Sequence, residues 1–143
     1  MMELVHALDM QVPTLLVGDF NGSACPSRDF QSASGSRRAA CPLLAQLLGP
    51  GAPWVDVQVA LGSPPLSWTF QAVDSHGKVS ASRIDLILAN HVALTLIRTV
   101  TVQDEVHHGG HSPVVVELSL HSGVINWQPP PPSAAPSVAA TLR

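Results

Sequence analysis

The sequence predicts an α+β domain with one mainly antiparallel mixed sheet and flanking helices. Three observations carry this. Residues 14–18 (TLLVG) and 113–120 (PVVVELSL) are continuous apolar runs, too short for helices and of the length of buried strands. Between them, residues 66–70, 83–89 and 96–102 are further short segments rich in apolar or β-branched residues, spaced by turn chemistry. Residues 39–48 set Leu43, Leu44, Leu47 and Leu48 along one side, and Gly49-Pro50 ends that helix.

In chain order, residues 2–10 place Leu4, Val5 and Leu8 at helical spacing before Pro13, as the end of a longer helix that starts without a capping residue. Strand 14–18 follows. Residues 21–38, rich in Ser, Gly and Arg with Pro26, read as loop, and helix 39–48 comes next. Residues 54–61 read equally as a turn of helix or as extended chain. Asp74-Ser75-His76-Gly77-Lys78 is a turn sequence, so strands 66–70 and 83–89 form a hairpin around it. The domain occupies residues 1–125. Residues 126–143 are a Pro/Ala-rich tail whose four consecutive prolines lack amide donors and favour an extended polyproline form, at most a weak ligand for a proline-binding module.

A chain of 143 residues is long enough for one core. Charged residues are only 12% of it, with a net charge of −3, and the seven basic residues are scattered, which argues against a stripe that holds nucleic acid by charge alone. No apolar run approaches the roughly 20 residues a membrane span needs. Cys25 and Cys41 make no CxxC and no disulfide framework. Composition thus describes a soluble, intracellular chain (nuclear or cytoplasmic is not specified) and leaves chemistry to the motifs.

Three motifs sit at strand ends. Gly18-Asp19-Phe20-Asn21 puts a carboxylate and a carboxamide two residues apart at a strand exit. Ser82-Arg83-Ile84-Asp85 puts Arg83 and Asp85 on one strand face by the two-residue period. His111-Ser112-Pro113 opens the last strand, and a histidine oriented by a carboxylate is a competent base near neutral pH. Taken singly each has a plain structural reading: a tight turn, a surface ion pair, one of seven histidines.

In this order, with Ser67-Trp68-Thr69-Phe70 ahead of S-R-I-D-L-I-L and H-S-P-V-V-V-E-L, the motifs resemble the endonuclease/exonuclease/phosphatase superfamily, the DNase I-like metal-dependent phosphodiesterases and phosphatases. The S-R-I-D form resembles the nuclease and retroelement-endonuclease branch most. The resemblance spans residues 14–120 and implies half of a DNase I-like αββα sandwich. It implies catalytic roles for Asp19, Asn21, Asp85 and His111: Asp19 at the scissile phosphate, Asn21 on a phosphate oxygen, Asp85 holding the His111 imidazole. It also implies substrate contacts from Asn21, Arg83 and Trp68, with Trp68 a cleft wall or core, and a Mg²⁺ ion to which Asp19 contributes weakly. DNA or a small phosphate ester is the implied substrate, and a phosphatase of phosphoinositides or sugar phosphates is the variant within the same superfamily.

Two departures qualify it. The family reads S-D-H-x-P where this chain has Gly109-Gly110-His111-Ser112-Pro113, so Gly110 replaces an acidic residue of the metal site, and Asp104 or Glu105 is a poor substitute. The family's other half, with an asparagine and a metal-binding glutamate, is not in this sequence. The chain alone is therefore expected to be inactive or weakly active, or a degenerate retroelement remnant, with an apolar sheet face prone to self-association or to pairing with the other half. The His107, His108 and His111 group fits loop histidines better than zinc spacing. Arg37-Arg38 either touches a phosphate backbone or is simply solvated.

Overall fold

The computed structural model describes residues 10–32, 35, 38–62, 66–104 and 109–119. The strand at Asp85–Asn90 organises them, because both of its faces are buried. Leu86 and Leu88 pack on one side with Leu44, Leu47 and Trp54. Ile87 and Ala89 pack on the other with Val57, Ala93 and Ile97. Alternation with period two thus feeds two cores from one strand. In chain order the described elements are β1 (Leu15–Asp19), α1 (Pro26–Asp29), β2 (Phe30–Ser32), α2 (Pro42–Leu47), β3 (Trp54–Asp56), α3 (Val57–Leu61), β4 (Phe70–Val73), β5 (Val79–Ser82), β6 (Asp85–Asn90), α4 (His91–Leu94), β7 (Ile97–Val102) and β8 (Val114–Leu118).

The class is mixed α+β, but the single sheet expected from the sequence is three small antiparallel ones, ordered β1-β6-β3, β2-β5-β4 and β7-β8. The reason lies at Arg83 and Ile84, where the run SRIDLILA leaves the ladder. The Arg83 amide donates to the Asp29 carbonyl at 2.9 Å. The Ile84 amide donates to Thr69 Oγ1 at 3.0 Å. Strand β5 therefore ends at Ser82, β6 starts afresh at Asp85, and the two join different sheets. The hairpin changes partners accordingly: β4 pairs with β5, Phe70 facing Ser82, and not with residues 83–89. Its turn is as expected, with Asp74 Oδ1 accepting the amides of His76 and Lys78 at 2.8 and 2.9 Å, and Gly77 at φ +76°.

Other boundaries move for local reasons. Proline at the first helical position starts α1, inside the expected loop 21–38, and also α2, which is shorter than expected. Residues 54–61 are strand and then helix, because Asp56 caps α3 by accepting the amides of Gln58 and Val59 at 3.1 and 3.2 Å. Asn90 caps α4 through Ala93 at 2.8 Å, and its amide donates to the Val12 carbonyl at 2.7 Å, tying the entry to β1 onto the end of β6. The helix expected over residues 2–10 and the tail lie outside the described residues, apart from Met10, which packs against the first core. No helix among the described residues is long and apolar enough to cross a membrane.

Arg83, expected at a binding face, is instead the largest fully buried side chain among the described residues. Its guanidinium donates to Asp29 Oδ1 at 2.7 Å, to both Asp56 oxygens at 3.0 and 2.9 Å, and to Gln58 Oε1 at 2.8 Å. Arg28 adds a fork onto Asp29 at 2.6 and 2.9 Å, and the Ser23 hydroxyl donates to Asp29 at 2.7 Å. The cluster ties α1, the cap of α3 and the β5–β6 junction into one unit.

Burial by itself pushes the Asp29 carboxyl up; the hydrogen bonds from Arg28 and Ser23 and the Arg83 charge outweigh it and hold the group below its ordinary value of 3.8. A lowered folded value means that this stabilisation is complete above the unfolded carboxyl pKa and is lost as pH falls through the folded one. Stability of the wild-type chain is therefore expected to drop below about pH 3.8, and Asp29→Asn to flatten that limb, as urea midpoints recorded against pH will show. At neutral pH, Arg83→Met strands the buried Asp56 carboxylate, leaves Asp29 to Arg28 and Ser23, and is expected to cost roughly 3–5 kcal/mol by urea unfolding.

Candidate functional site

The site is assembled by register. Strands β1 and β6 run antiparallel with Asp19 opposite Asp85, so two carboxylates face each other across one ladder. Like charges in that relation repel unless a cation or a proton lies between them. The Asp19 carboxylate also accepts the Asn21 amide at 2.8 Å, and Asn21 takes φ +49°, a left-handed conformation that asparagine tolerates.

His111 arrives from the other side. Its backbone bridges Phe70 at the start of β4, and the two rings lie 4.7 Å apart at 56°. Its Nδ1 lies 3.0 and 3.1 Å from the two oxygens of Asp85. An ionised carboxylate only accepts hydrogen bonds, so this contact makes Nδ1 the protonated nitrogen and Nε2 the basic one. Ligand atoms of Asp19, Asp85 and His111 all fall within 4.8 Å of one another, the one such group of three among the described residues.

Thr69 holds the two halves together. It is fully buried, and its Oγ1 accepts the amides of both Ile84 and Asp85 at 3.0 Å. Its carbonyl accepts the Ser112 amide at 2.8 Å. The backbones that carry Asp85 and His111 are thus fixed to the same residue. Sequence reasoning passed over Thr69 for its neighbour Trp68. The available signal was a threonine, small and with a hydroxyl, inside an otherwise aromatic W-T-F run.

Gly110 fixes the approach of the imidazole. It has φ +88°, its carbonyl accepts the Gln71 amide at 2.9 Å, and a Cβ there would lie 2.5 Å from the Gln71 carbonyl oxygen. This geometry takes glycine and rejects the aspartate of the S-D-H-x-P pattern. Asp104 is exposed and outside the three-residue group, while Glu105, His107 and His108 lie outside the described residues.

Asp19, Asp85 and His111 line a cleft of about 370 Å³ whose remaining wall is mostly apolar, from Val17, Leu86, Ile87, Pro113 and Val114, with Gly18 and Ser112. Asn21 reaches the site only through its backbone; it lines a separate cavity of about 400 Å³. Trp68 lies ahead of β4, which starts at Phe70 and not at residue 66, and is half-buried outside the residues lining the cleft. Arg83 and Asp85 do not share a partner: the first goes to the buried cluster, the second to His111. A larger cavity, about 530 Å³, lies beside α2, β3 and α3, but its charged residues Arg28 and Asp56 are already paired within the buried cluster.

No family model matches this chain, and no curated protein and no solved structure matches it.

Two carboxylates and an imidazole at these distances could hold a divalent cation. Magnesium is commonly held by only one or two carboxylates together with water, and the imidazole broadens the choice to manganese or zinc. Replacing Thr69 with valine keeps its shape and removes the acceptor of two amides. It is expected to destabilise the chain by on the order of 1–3 kcal/mol and to speed amide exchange at Ile84 and Asp85, whereas Thr69→Ser retains both.

Proposed function

We propose that this chain carries the catalytic centre of a metal-dependent phosphoester hydrolase of the endonuclease/exonuclease/phosphatase kind, and that it is the C-terminal half of such a DNase I-like sandwich. The observation that carries the reading is the meeting of Asp19, Asp85 and His111 from three motifs that are 26 to 92 residues apart in the chain. A His–Asp pair beside a second carboxylate, at the mouth of a cleft, is the arrangement that activating water beside a phosphate requires.

In this reading His111 Nε2 takes the proton of the attacking water. Asp85 fixes the tautomer and orientation of the ring and balances the charge it gains. Phe70 limits the tilt of the imidazole. Asp19, restrained by the Asn21 amide, either helps hold the cation or orients the water. A divalent cation held by Asp19, with Asp85 opposite it, would supply neutralisation of phosphate charge. The substrate is a nucleic-acid strand or a small phosphate ester.

Gly110 favours a second reading, a non-catalytic remnant of a retroelement endonuclease. The turn leaves no space for a side chain here, so a metal site at this place would have one fewer oxygen ligand than the family pattern.

The test is hydrolysis of bis(4-nitrophenyl) phosphate and nicking of supercoiled plasmid in Mg²⁺ or Mn²⁺, against an EDTA control. Weak, metal-dependent turnover is expected from the wild-type chain, with Asp19→Ala and His111→Ala each slower by about 10²–10⁴-fold. Turnover that survives EDTA, or that persists in both variants, removes the hydrolase reading. An inert wild-type chain leaves the remnant in its place.

A further inference from the structure

Arg38 is a basic residue that neither the buried cluster nor the catalytic group uses. Arg38, which is exposed, lies with its guanidinium 4.8 Å from the centre of the Phe30 ring. It lines the 400 Å³ cavity together with Asn21, Ser23, Asp29, Phe30 and Ile84. The acidic residue on that wall, Asp29, is already met by Arg28 at 2.6 Å and Arg83 at 2.7 Å. Arg38 has no carboxylate partner among the described residues, so the cavity carries one uncompensated positive charge.

This cavity adjoins the catalytic group on two sides. Asn21, on its wall, donates its amide to Asp19 at 2.8 Å. Ile84, also on its wall, immediately precedes Asp85. The 370 Å³ cleft and the 400 Å³ cavity therefore flank one centre, the first apolar with acidic groups, the second polar with a cation. A guanidinium stacked on an aromatic face is held in place while its N–H edge remains available to an anion.

We infer that the cavity beside Arg38 is a subsite for a second phosphate of the substrate, adjacent to the one that reacts. The inference rests on the hydrolase reading of the Asp19, Asp85 and His111 centre and narrows its substrate class. The preferred substrate carries at least two phosphates, as a nucleic-acid strand or a bisphosphorylated small molecule does, and single-phosphate diesters use the centre alone. Asn21 and the Ser23 region supply polar wall around the bound group, and Arg38 supplies its countercharge.

The experiment measures binding in EDTA, so that no turnover is involved. Fluorescently labelled octathymidylate and a labelled inositol bisphosphate are titrated against the full chain, Arg38→Ala and Arg38→Lys. Arg38→Ala is expected to weaken binding about tenfold, the size of one hydrogen-bonded charge contact. For the strand, the salt dependence of log affinity is expected to flatten by roughly 0.7, the value for one phosphate contact on a single strand, with Arg38→Lys keeping the slope. Dependence on Arg38 with either probe supports the subsite, and the probe that shows it identifies the source of the second phosphate. Equal affinities for the wild-type chain and Arg38→Ala with both probes overturn the subsite. So does an equal rise in KM for bis(4-nitrophenyl) phosphate, which has no second phosphate. Failure of the wild-type chain to hydrolyse any ester counts against the hydrolase reading and not against the binding result.

Discussion

The burial of Arg83 constrains everything else in the described structure. A guanidinium removed from water is tolerable only when carboxylates and a further acceptor meet it in good geometry, and Asp29, Asp56 and Gln58 do so within 3.0 Å. Those partners come from α1, the cap of α3, and α3 itself, 25 to 54 residues away. A chain whose sheets have only two or three strands each has few ladder bonds to define their relative placement. The ion cluster supplies that definition where the β2-β5-β4 sheet meets the β1-β6-β3 sheet. Asp56 serves twice, capping α3 with the same carboxylate that receives Arg83, so the helix start and the ion pair stand or fall together.

The Asp19, Asp85 and His111 group depends on this junction. Asp85 lies two residues beyond Arg83, and its amide is bound not to a neighbouring strand but to Thr69 Oγ1. His111 is placed through Phe70 and through Ser112 on the Thr69 carbonyl. The interruption of the strand at Arg83 and Ile84 turns Arg83 inward to the cluster and leaves Asp85 at the start of a new strand, opposite Asp19. The same break that divides the sheets therefore creates the site. A continuous strand over residues 83–89 would hold Arg83 and Asp85 on one face, which is the arrangement the two-residue period suggested.

That difference shows what could be read in the sequence and what could not. Strands β1, β7 and β8 were legible because apolar runs or β-branched alternation encode them locally, and α2 because its leucines repeat and Gly49-Pro50 ends it. The three motifs at strand ends were legible for the same reason, since Asp19, Asp85 and His111 each follow a local pattern. The partners of Arg83 were not, because nothing local links residues 29, 56 and 83. Nor was the inward direction of Arg83, since one arginine in an S-R-I-D run looks the same whether it meets a ligand or two distant aspartates. Thr69 escaped notice because its role lies in accepting backbone amides, which leave no trace in side-chain pattern. Residues 54–61 stayed ambiguous, although an acidic residue just before an apolar helical start, as Asp56 is, carries a recognisable capping signature.

The scarcity of charge, 12% of residues, takes on a different meaning once the charges are located. Arg28, Asp29, Asp56 and Arg83 neutralise one another in a single cluster, and Asp19 and Asp85 stand together at the cleft. Little charge is left to guard sheet edges, where natural proteins usually place it. Val17 on β1 is 66% exposed and Val73 on β4 is 67% exposed, both on strands at the edge of their sheets. An apolar edge strand bordering the paired carboxylates couples two demands. Any segment or second copy that pairs with β1 must also lie beside Asp19, so covering this edge and leaving the Asp19, Asp85 and His111 group open are one structural problem.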